Sequence, residues 1–307
     1  MKCTIIGGGG FLGSHLCEHL IEQGHRVNVF ESPKARYLEM IKSLGAEIFL
    51  GDFLNPTDLK SGITNCDVLF HLVSTTDPKK SNDDPAYDIQ SNLVGSVNLL
   101  SEIVKKSIGK IIFASSGGTV YGIPQETPIK ENHETNPISS YGITKLAIEK
   151  YLALFERLYS QDYTVLRIAN AYGERQPVHG SQGVIGAFLE KAIEKQQVEI
   201  WGEGNQIRDF VYAKDITTAM EKAMTYTGEQ RVLNIGSGEG HSINDILRTI
   251  ETVIHASLAV KYLPARQFDV PVNVLDSSAA MKNLNWQPVT RLPEGIERSY
   301  RWMLIHS

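Results

Sequence analysis

The chain has 307 residues, of which 42% are apolar, and a formal net charge of −5. That length exceeds an ordinary single domain, and the apolar share suffices for a large core. The charge balance supplies no basic face, so nucleic acid is not an expected partner, and no apolar run reaches membrane-spanning length. A first strand beginning at Lys2 leaves no room for a cleavable signal peptide, so a cytoplasmic location is expected. Cys3, Cys17 and Cys66 are odd in number and lack metal-ligand spacing, which predicts buried, reduced thiols and no metal site.

The first element is a short apolar strand, Cys3 to Ile6, which runs straight into Gly7-Gly8-Gly9-Gly10-Phe11-Leu12-Gly13 and an amphipathic helix, Phe11 to Gln23. A strand that turns at once into a helix points unpaired N–H groups, and the positive end of the helix dipole, at one spot. A pyrophosphate can sit there only if no Cβ blocks its approach. Gly7 suits the tight turn, Gly10 the approach of the phosphates, and Gly13 the close packing of helix on strand; Phe11 and Leu12 open the helix between them.

A second strand, Arg26 to Phe30, ends in Glu31, about 20 residues past the turn, where a carboxylate can accept from ribose hydroxyls. The same charge repels a 2′-phosphate, so NAD is expected rather than NADP, with Lys34 and Arg36 acting against that preference. A third strand, Ala46 to Leu50, leads to Gly51-Asp52-Phe53, where Asp52 either meets an adenine edge or forms a turn. Further strands follow over Asp67–Val73, Lys110–Ala114 and Tyr163–Ile168, alternating with helices over Ala86–Lys106 and Ser140–Tyr159. This alternation implies an α/β fold, a Rossmann-type doubly wound parallel sheet with right-handed crossovers and a ligand crevice at the carboxyl ends of its strands. His71, Leu72, Ser74, Ser115, Ser116 and Asn170 fall at those ends.

After Ala169 glycine and proline become frequent and the alternation stops. Helices over Gln182–Lys195, Asp215–Tyr226, Ser242–His255 and Leu292–Trp302, with short strands over Val198–Trp201 and Asp209–Tyr212, predict a smaller C-terminal α/β substrate lobe. The expected division assigns residues 1–170, with about 205–235, to the dinucleotide domain, and 171–204 with 236–307 to the lobe.

Tyr141-Gly142-Ile143-Thr144-Lys145 places a phenol and an ammonium one turn apart on one helix face. Tyrosine ordinarily titrates near 10, too high for a base at neutral pH. A neighbouring cation favours the phenolate, so Lys145 is expected to bring Tyr141 down toward the working range. A hydroxyl must hold the substrate oxygen while its proton moves; Ser116, just past the fifth strand, is placed for this, with Ser115 as the alternative.

With these residues in order, the chain resembles the extended short-chain dehydrogenase/reductase family, in particular its nucleotide-sugar epimerases and dehydratases. The likeness rests on the glycine signature, on Ser115-Ser116-Gly117-Gly118-Thr119-Val120-Tyr121-Gly122, on Pro137 to Lys145, on Arg167 to Gly173, on Arg208-Asp209-Phe210-Val211-Tyr212 and on Pro264 to Pro271. It covers nearly the whole chain. The resemblance implies Tyr141 as the base, Lys145 as its tuner and ribose ligand, and Ser116 at the sugar O4. Gly7, Gly10, Phe11, Leu12, Gly13, Glu31, Asp52, Phe53, Leu72, Ser74 and Lys145 would hold the cofactor. Asn170, Arg208, Arg266, Asp269 and Asn273 would join Ser116 and Tyr141 on the substrate.

Relatives that eliminate or decarboxylate carry an acid after the catalytic hydroxyl, where this chain has Gly117 and Gly118. The resemblance therefore implies NAD-dependent epimerisation at C4 of a UDP-hexose or UDP-N-acetylhexosamine, or a dTDP-sugar, through a transient 4-keto sugar, in a homodimer. An NAD(P)-dependent reductase or dehydratase, or a non-catalytic nucleotide-binding relative, are the alternatives. Asn273 stands where a tyrosine in galactose epimerases restricts the pocket, and a smaller residue there admits 2-acetamido sugars. An Asn273 that merely faces solvent in a loop is the competing expectation. Gln182-Gly183 and Glu174-Arg175-Gln176 depart from the common pattern.

Overall fold

The computed structural model describes residues 1–177, 183–265 and 270–306. Its strands are, in chain order, Lys2–Ile6 (β1), Arg26–Glu31 (β2), Glu47–Leu50 (β3), Cys66–His71 (β4), Ile108–Ser116 (β5), Asp162–Ile168 (β6), Asn170–Tyr172 (β7), Val198–Trp201 (β8), Ile207–Tyr212 (β9), Val232–Ile235 (β10), Gly240–Ser242 (β11), Val260–Leu263 (β12) and Val272–Asn273 (β13). The large sheet has the order β10-β6-β5-β4-β1-β2-β3, and every pairing in it is parallel. Strand order reverses at β1, which lies between β2 and β4; the crevice of a doubly wound sheet opens at the carboxyl ends of such a pair. The glycine loop leaves β1 there, and Leu72 leaves β4 beside it, its N–H bonded to Ile6 O at 3.0 Å.

Both faces of this sheet are covered, which is why its strands are nearly continuous apolar runs. Neighbouring residues point to opposite cores: Ile5 packs with Leu16, Val29 and Ile112, whereas Ile6 packs with Phe30, Leu59 and Phe113. A separate core, containing Phe188, Leu189, Phe210, Ile246, Ile250 and Ile296, holds the smaller lobe. Its main sheet runs β11-β9-β13 with β7 also on β9, while β12 pairs with β8. The stretch after residue 205 therefore serves both parts: β9 sits in the small sheet and β10 closes the edge of the large one. The free cysteines Cys3, Cys17 and Cys66 are buried, and no helix among the described residues is long and apolar enough to cross a membrane.

The helix expected over Ala86–Lys106 is not continuous. It divides into Pro85–Asp88, a wider π turn over Ile89–Val94, and Gly95–Ile103. A π turn changes which side chains share a face, and such turns recur at functional sites. The short segment 173–176 fastens the two parts of the molecule together. His15 Nε2 bonds Glu174 O at 2.8 Å, Tyr37 donates to Arg175 O at 3.1 Å, and Arg175 pairs with Glu18. From the other side, Tyr212 donates to the Glu174 carboxylate at 2.6 and 2.7 Å.

Behind β5 lies a buried ion pair, Arg167 Nη2 to Glu149 Oε2 at 2.7 Å, with both side chains at most 5% exposed. Arg167 Nε adds a second bond to Glu149 at 3.1 Å, and Ser115 donates to the same carboxylate. Removing one partner of such a pair leaves a buried charge uncompensated, whereas replacing both by apolar groups is far milder. Arg167→Ala should therefore lower unfolding stability by about 3–5 kcal/mol in urea titrations. The double variant Arg167→Met/Glu149→Met should lie much closer to wild type.

Candidate active site

The two helices that meet at the crevice begin in opposite ways. The helix Phe11–Glu22 starts at Gly10 with no side chain capping it and no acidic residue in its first turn. The helix Ser140–Tyr159 starts with its N–H groups occupied: Ser140 N donates to Asn82 Oδ1 at 2.9 Å, Tyr141 N to Ser81 Oγ at 3.0 Å, and Gly142 N to Ser139 Oγ at 3.2 Å. The open helix start is the one fitted for an anion.

Its glycines do different jobs. Gly7 has φ +92, and a Cβ there would lie 2.9 Å from Val73 N; a Cβ on Gly13 would run into Gly7 O. Both are required by the fold. At Gly10 the backbone is ordinary (φ −85, ψ −172), and a Cβ would meet only Gly7 O at 3.5 Å. Packing leaves that position free, and its missing side chain keeps the approach to the helix start open, as a bound pyrophosphate requires. Glu31, at the end of β2, accepts from Gly9 N and Ser32 N, each at 2.8 Å, so its carboxylate sits on the glycine loop; burial raises its pKa. Asp52 is exposed and accepts from Leu54 N at 2.9 Å, the turn-forming arrangement. Phe53 is buried against the His71 ring. His71 is a core group, bonded to Ser96 Oγ at 2.7 Å and driven down to about 3 by burial. Phe11 stacks edge-on against His15, and Leu12 packs on the core under the sheet.

Tyr141 and Lys145 share one face, with the Lys145 ammonium 5.6 Å from the centre of the Tyr141 ring. The expected direction of the tyrosine shift is not what the fold produces. Burial pushes Tyr141 up to about 12, with the charges of Asp88 and Asp77 adding to the rise and the polar side chain of Ser74 opposing it. Burial likewise brings Lys145 down to about 8, against the pull of Asp88 and Glu149. The ammonium donates to Ala114 O at 3.0 Å and lies 4.8 Å from the Phe113 ring centre. In the protein alone, desolvation sets the direction.

Alternation along β5 separates the two serines. Ser115 is 4% exposed and its hydroxyl is committed to Glu149, while Ser116 is half-buried on the opposite side. Space beside Gly117 is filled by Leu275, whose Cδ1 would lie 2.5 Å from a Cβ there. Gly118 opens the other way: a Cβ on it would meet Ser116 Oγ at 3.9 Å and Asn170 Oδ1 at 4.0 Å, so those two polar groups face one space. Asn170 Nδ2 is anchored on Asp209 O at 2.9 Å. Arg208 stands in register with Asn273 on β13 and with His241 on β11. Asn273 does not face solvent: it is 1% exposed, donates to Gly117 O at 3.2 Å, and its Oδ1 has no partner among the described residues. Arg266 and Asp269 lie outside the described residues, as does Gln182.

Ser74, Ser81, Asn82 and Asp88 join this assembly in ways the sequence did not reveal. Ser74 is expected from the sequence only as a cofactor contact, and the other three lie in a stretch whose pattern predicts loop and one uniform helix. The polar run Ser81-Asn82-Asp83-Asp84 before Pro85 was the available signal. Among the described residues no group of His, Cys, Asp or Glu side chains could hold a metal ion.

The NAD dependent epimerase/dehydratase family model matches residues 3–236. The chain belongs to that family. It is 32% identical to the UDP-glucose 4-epimerase of Mycolicibacterium smegmatis over 97% of each chain. Among solved structures, UDP-glucose 4-epimerase of Thermotoga maritima, crystallised with UDP-glucose, superposes with a TM-score of 0.95 at 33% identity, covering 100% of this chain and 99% of that one. UDP-N-acetylglucosamine 4-epimerase of Methanobrevibacter ruminantium, in complex with UDP-N-acetylmuramic acid, gives a TM-score of 0.93 at 28% identity with 100% and 99% coverage. Membership in an NAD-dependent family agrees with the open helix start, the free space at Gly10 and the carboxylate of Glu31.

The two glycines can be told apart experimentally. Gly10→Ala should fold with the thermal midpoint of NAD-stripped wild type and purify with little bound NAD, measured by chromatography of the nucleotide released on denaturation. Gly13→Ala should lose both stability and NAD, because its methyl group meets the Gly7 carbonyl. A Gly10→Ala variant that keeps full NAD would remove the phosphate role from this position.

Proposed function

We propose that the chain is a UDP-sugar 4-epimerase, a cytoplasmic homodimer that interconverts C4 epimers of a UDP-hexose or UDP-N-acetylhexosamine with NAD retained throughout. The observation that carries the reading is the surroundings of Ser116. Tyr141, Lys145 and a free-facing hydroxyl are present, while the neighbouring Gly117 and Gly118 bring no acid, and Leu275 occupies the space beside Gly117. Moving a proton at O4 needs only a hydroxyl and a phenol; elimination or decarboxylation needs a further proton-transfer group. Decarboxylases and reductases of nucleotide sugars also occur among the relatives, at 27% and 30% identity. Support for the dimer is the row of exposed apolar side chains Ile143, Leu154 and Leu158 on the helix Ser140–Tyr159.

In this reading Ser116 holds O4 and Tyr141 takes its proton, then returns it when the sugar presents its other face. When bound, NAD would supply the acceptor and later the donor of the C4 hydride, and its oxidised ring would add a second positive charge to that of Lys145 in favouring the phenolate. Gly7, Gly10, Gly13 and Glu31 would hold it. Lys145, fixed on Ala114 O, keeps its charge beside the phenol ring. Arg208, with Arg266, grips the diphosphate by forked, charge-assisted bonds, so that the sugar is free to turn while the nucleotide is not. Asn273, with an unpartnered buried oxygen, suits the N–H of a 2-acetamido group, which favours the acetamido sugars.

Incubating the purified protein with UDP-glucose, UDP-galactose and their N-acetylated counterparts, and separating the products, tests the assignment. Tyr141→Phe should retain the fold and bound NAD but lose about 10²–10⁴-fold in turnover. The variant Asn273→Tyr should lose the acetamido pair selectively; unchanged turnover of both pairs would show that Asn273 is not the gate. An exchangeable NADP(H) in place of bound NAD would favour a reductase.

A further inference from the structure

The helix that carries Tyr141 and Lys145 is held by a carboxylate that the proposed reaction does not use. Asp88 is 0% exposed, and none of the ion pairs found among the described residues involves it. Its Oδ2 accepts from Ser140 Oγ at 2.8 Å and from Thr144 Oγ1 at 2.7 Å, the hydroxyls that immediately precede Tyr141 and Lys145. Its Oδ1 accepts from Asn92 Nδ2 at 3.0 Å and from Thr76 Oγ1. Thr76 belongs to the loop after β4, and the rest of that loop is tied to the same π turn: Thr75 N bonds Asn92 Oδ1 at 2.9 Å, and Thr75 Oγ1 lies 2.6 Å from Ser91 Oγ. Ser74, which lowers the pKa of the neighbouring Tyr141 phenol, donates to Thr76 O at 3.0 Å.

We infer that Asp88 is a positioning residue for the Tyr141–Lys145 pair, a single carboxylate that clamps the helix Ser140–Tyr159 to the loop after β4 and so fixes Ser74 against the Tyr141 hydroxyl. All its bonds are accepted, which is the full use a carboxylate can make of its two oxygens and one that an amide cannot reproduce. Asp88 closes the short helix Pro85–Asp88 and Asn92 lies in the π turn that follows it, and both bond the loop after β4. Because the clamp is charged, it also acts on the groups it positions. Asp88 favours the protonated forms of both Lys145 and Tyr141. The other charged or titratable groups facing the pair are Asp77 beside Tyr141, Glu149 on the same helix with its partner Arg167 on β6, and neutral His71 on β4.

This inference rests on Tyr141 and Lys145 as the catalytic pair, and its test separates the two. In Asp88→Asn, turnover of the UDP-sugar should fall at least roughly tenfold, with KM within about threefold. Both limbs of the pH–rate profile should move to lower pH, because the lost negative charge no longer holds the protons on Lys145 and Tyr141. The double variant Ser140→Ala/Thr144→Val removes the donors but keeps the charge, so it should lower turnover while leaving the limbs where they are in wild type. A readout independent of turnover is the pH midpoint for acylation of Lys145 by a small reagent, followed by mass spectrometry. It should drop in Asp88→Asn alone. Wild-type turnover and limbs in Asp88→Asn, or equal limb shifts in both variants, would overturn the clamp. Should Asp88→Asn not fold, undiminished turnover in Ser140→Ala/Thr144→Val overturns it, and reduced turnover with unmoved limbs supports it. Wild type inactive on every UDP-sugar, with the Lys145 midpoint still lowered in Asp88→Asn, would overturn the proposed reaction and leave the clamp standing.

Discussion

An ammonium group sealed inside an apolar interior is the constraint around which this molecule is arranged. Lys145 is 5% exposed, and taking a cation out of water is among the costliest operations in folding. The fold meets that cost with the Ala114 carbonyl, the faces of Phe113 and Tyr141, and the charges of Asp88 and Glu149 at a distance. Each of those partners in turn needs its own support. Glu149 is neutralised by Arg167 and takes the Ser115 hydroxyl, which removes Ser115 from the crevice and leaves Ser116 to face it. Asp88 takes two hydroxyls from the helix and one from the loop after β4. The position of the reacting groups follows from how one buried charge is compensated.

The ends of the helices express the same economy of polar groups. Side chains of Ser139, Ser81 and Asn82 complete the start of the helix Ser140–Tyr159, so no ligand is called for there. The helix Phe11–Glu22 has no such completion. Two structurally similar helix starts thus have different chemistry because one is satisfied from within the chain and the other is left to be satisfied from outside.

Much of this was readable in the amino-acid order. The glycine turn, the strands of the large sheet, Glu31 at the end of β2 and the Tyr-x-x-x-Lys spacing depend on residues close together in the chain, where periodicity and turn chemistry are informative. The choice between Ser115 and Ser116 needed only the position at which β5 ends, and this the apolar run Lys110–Ala114 understated by two residues. The rise of Tyr141 in the protein alone is illegible in the sequence for a different reason. The cation one turn away is local and visible, whereas desolvation depends on everything that packs around the phenol. The π turn and the bonds to Asp88 were hidden because a helical period in the sequence does not reveal one wider turn. The burial of Asn273 is not legible either, because the Gly117 carbonyl that its side chain bonds is distant in sequence.

The segment 173–176 has a consequence for how the molecule handles its ligands. One short stretch is gripped by His15 and Glu18 on the helix that follows the glycine loop, by Tyr37, whose N–H bonds Gly9 O, and by Tyr212 at the end of β9, the strand that carries Arg208. Under the proposed function, a shift that seats a nucleotide sugar against β9 would reach the helix that begins at Gly10 through Glu174 and Arg175. Linkage makes such an effect reciprocal: whatever free energy the occupied sugar site lends to dinucleotide retention, the occupied dinucleotide site returns to the sugar. Cofactor residence time and substrate affinity then belong to one thermodynamic cycle, and selection for either would leave its mark on the same few residues.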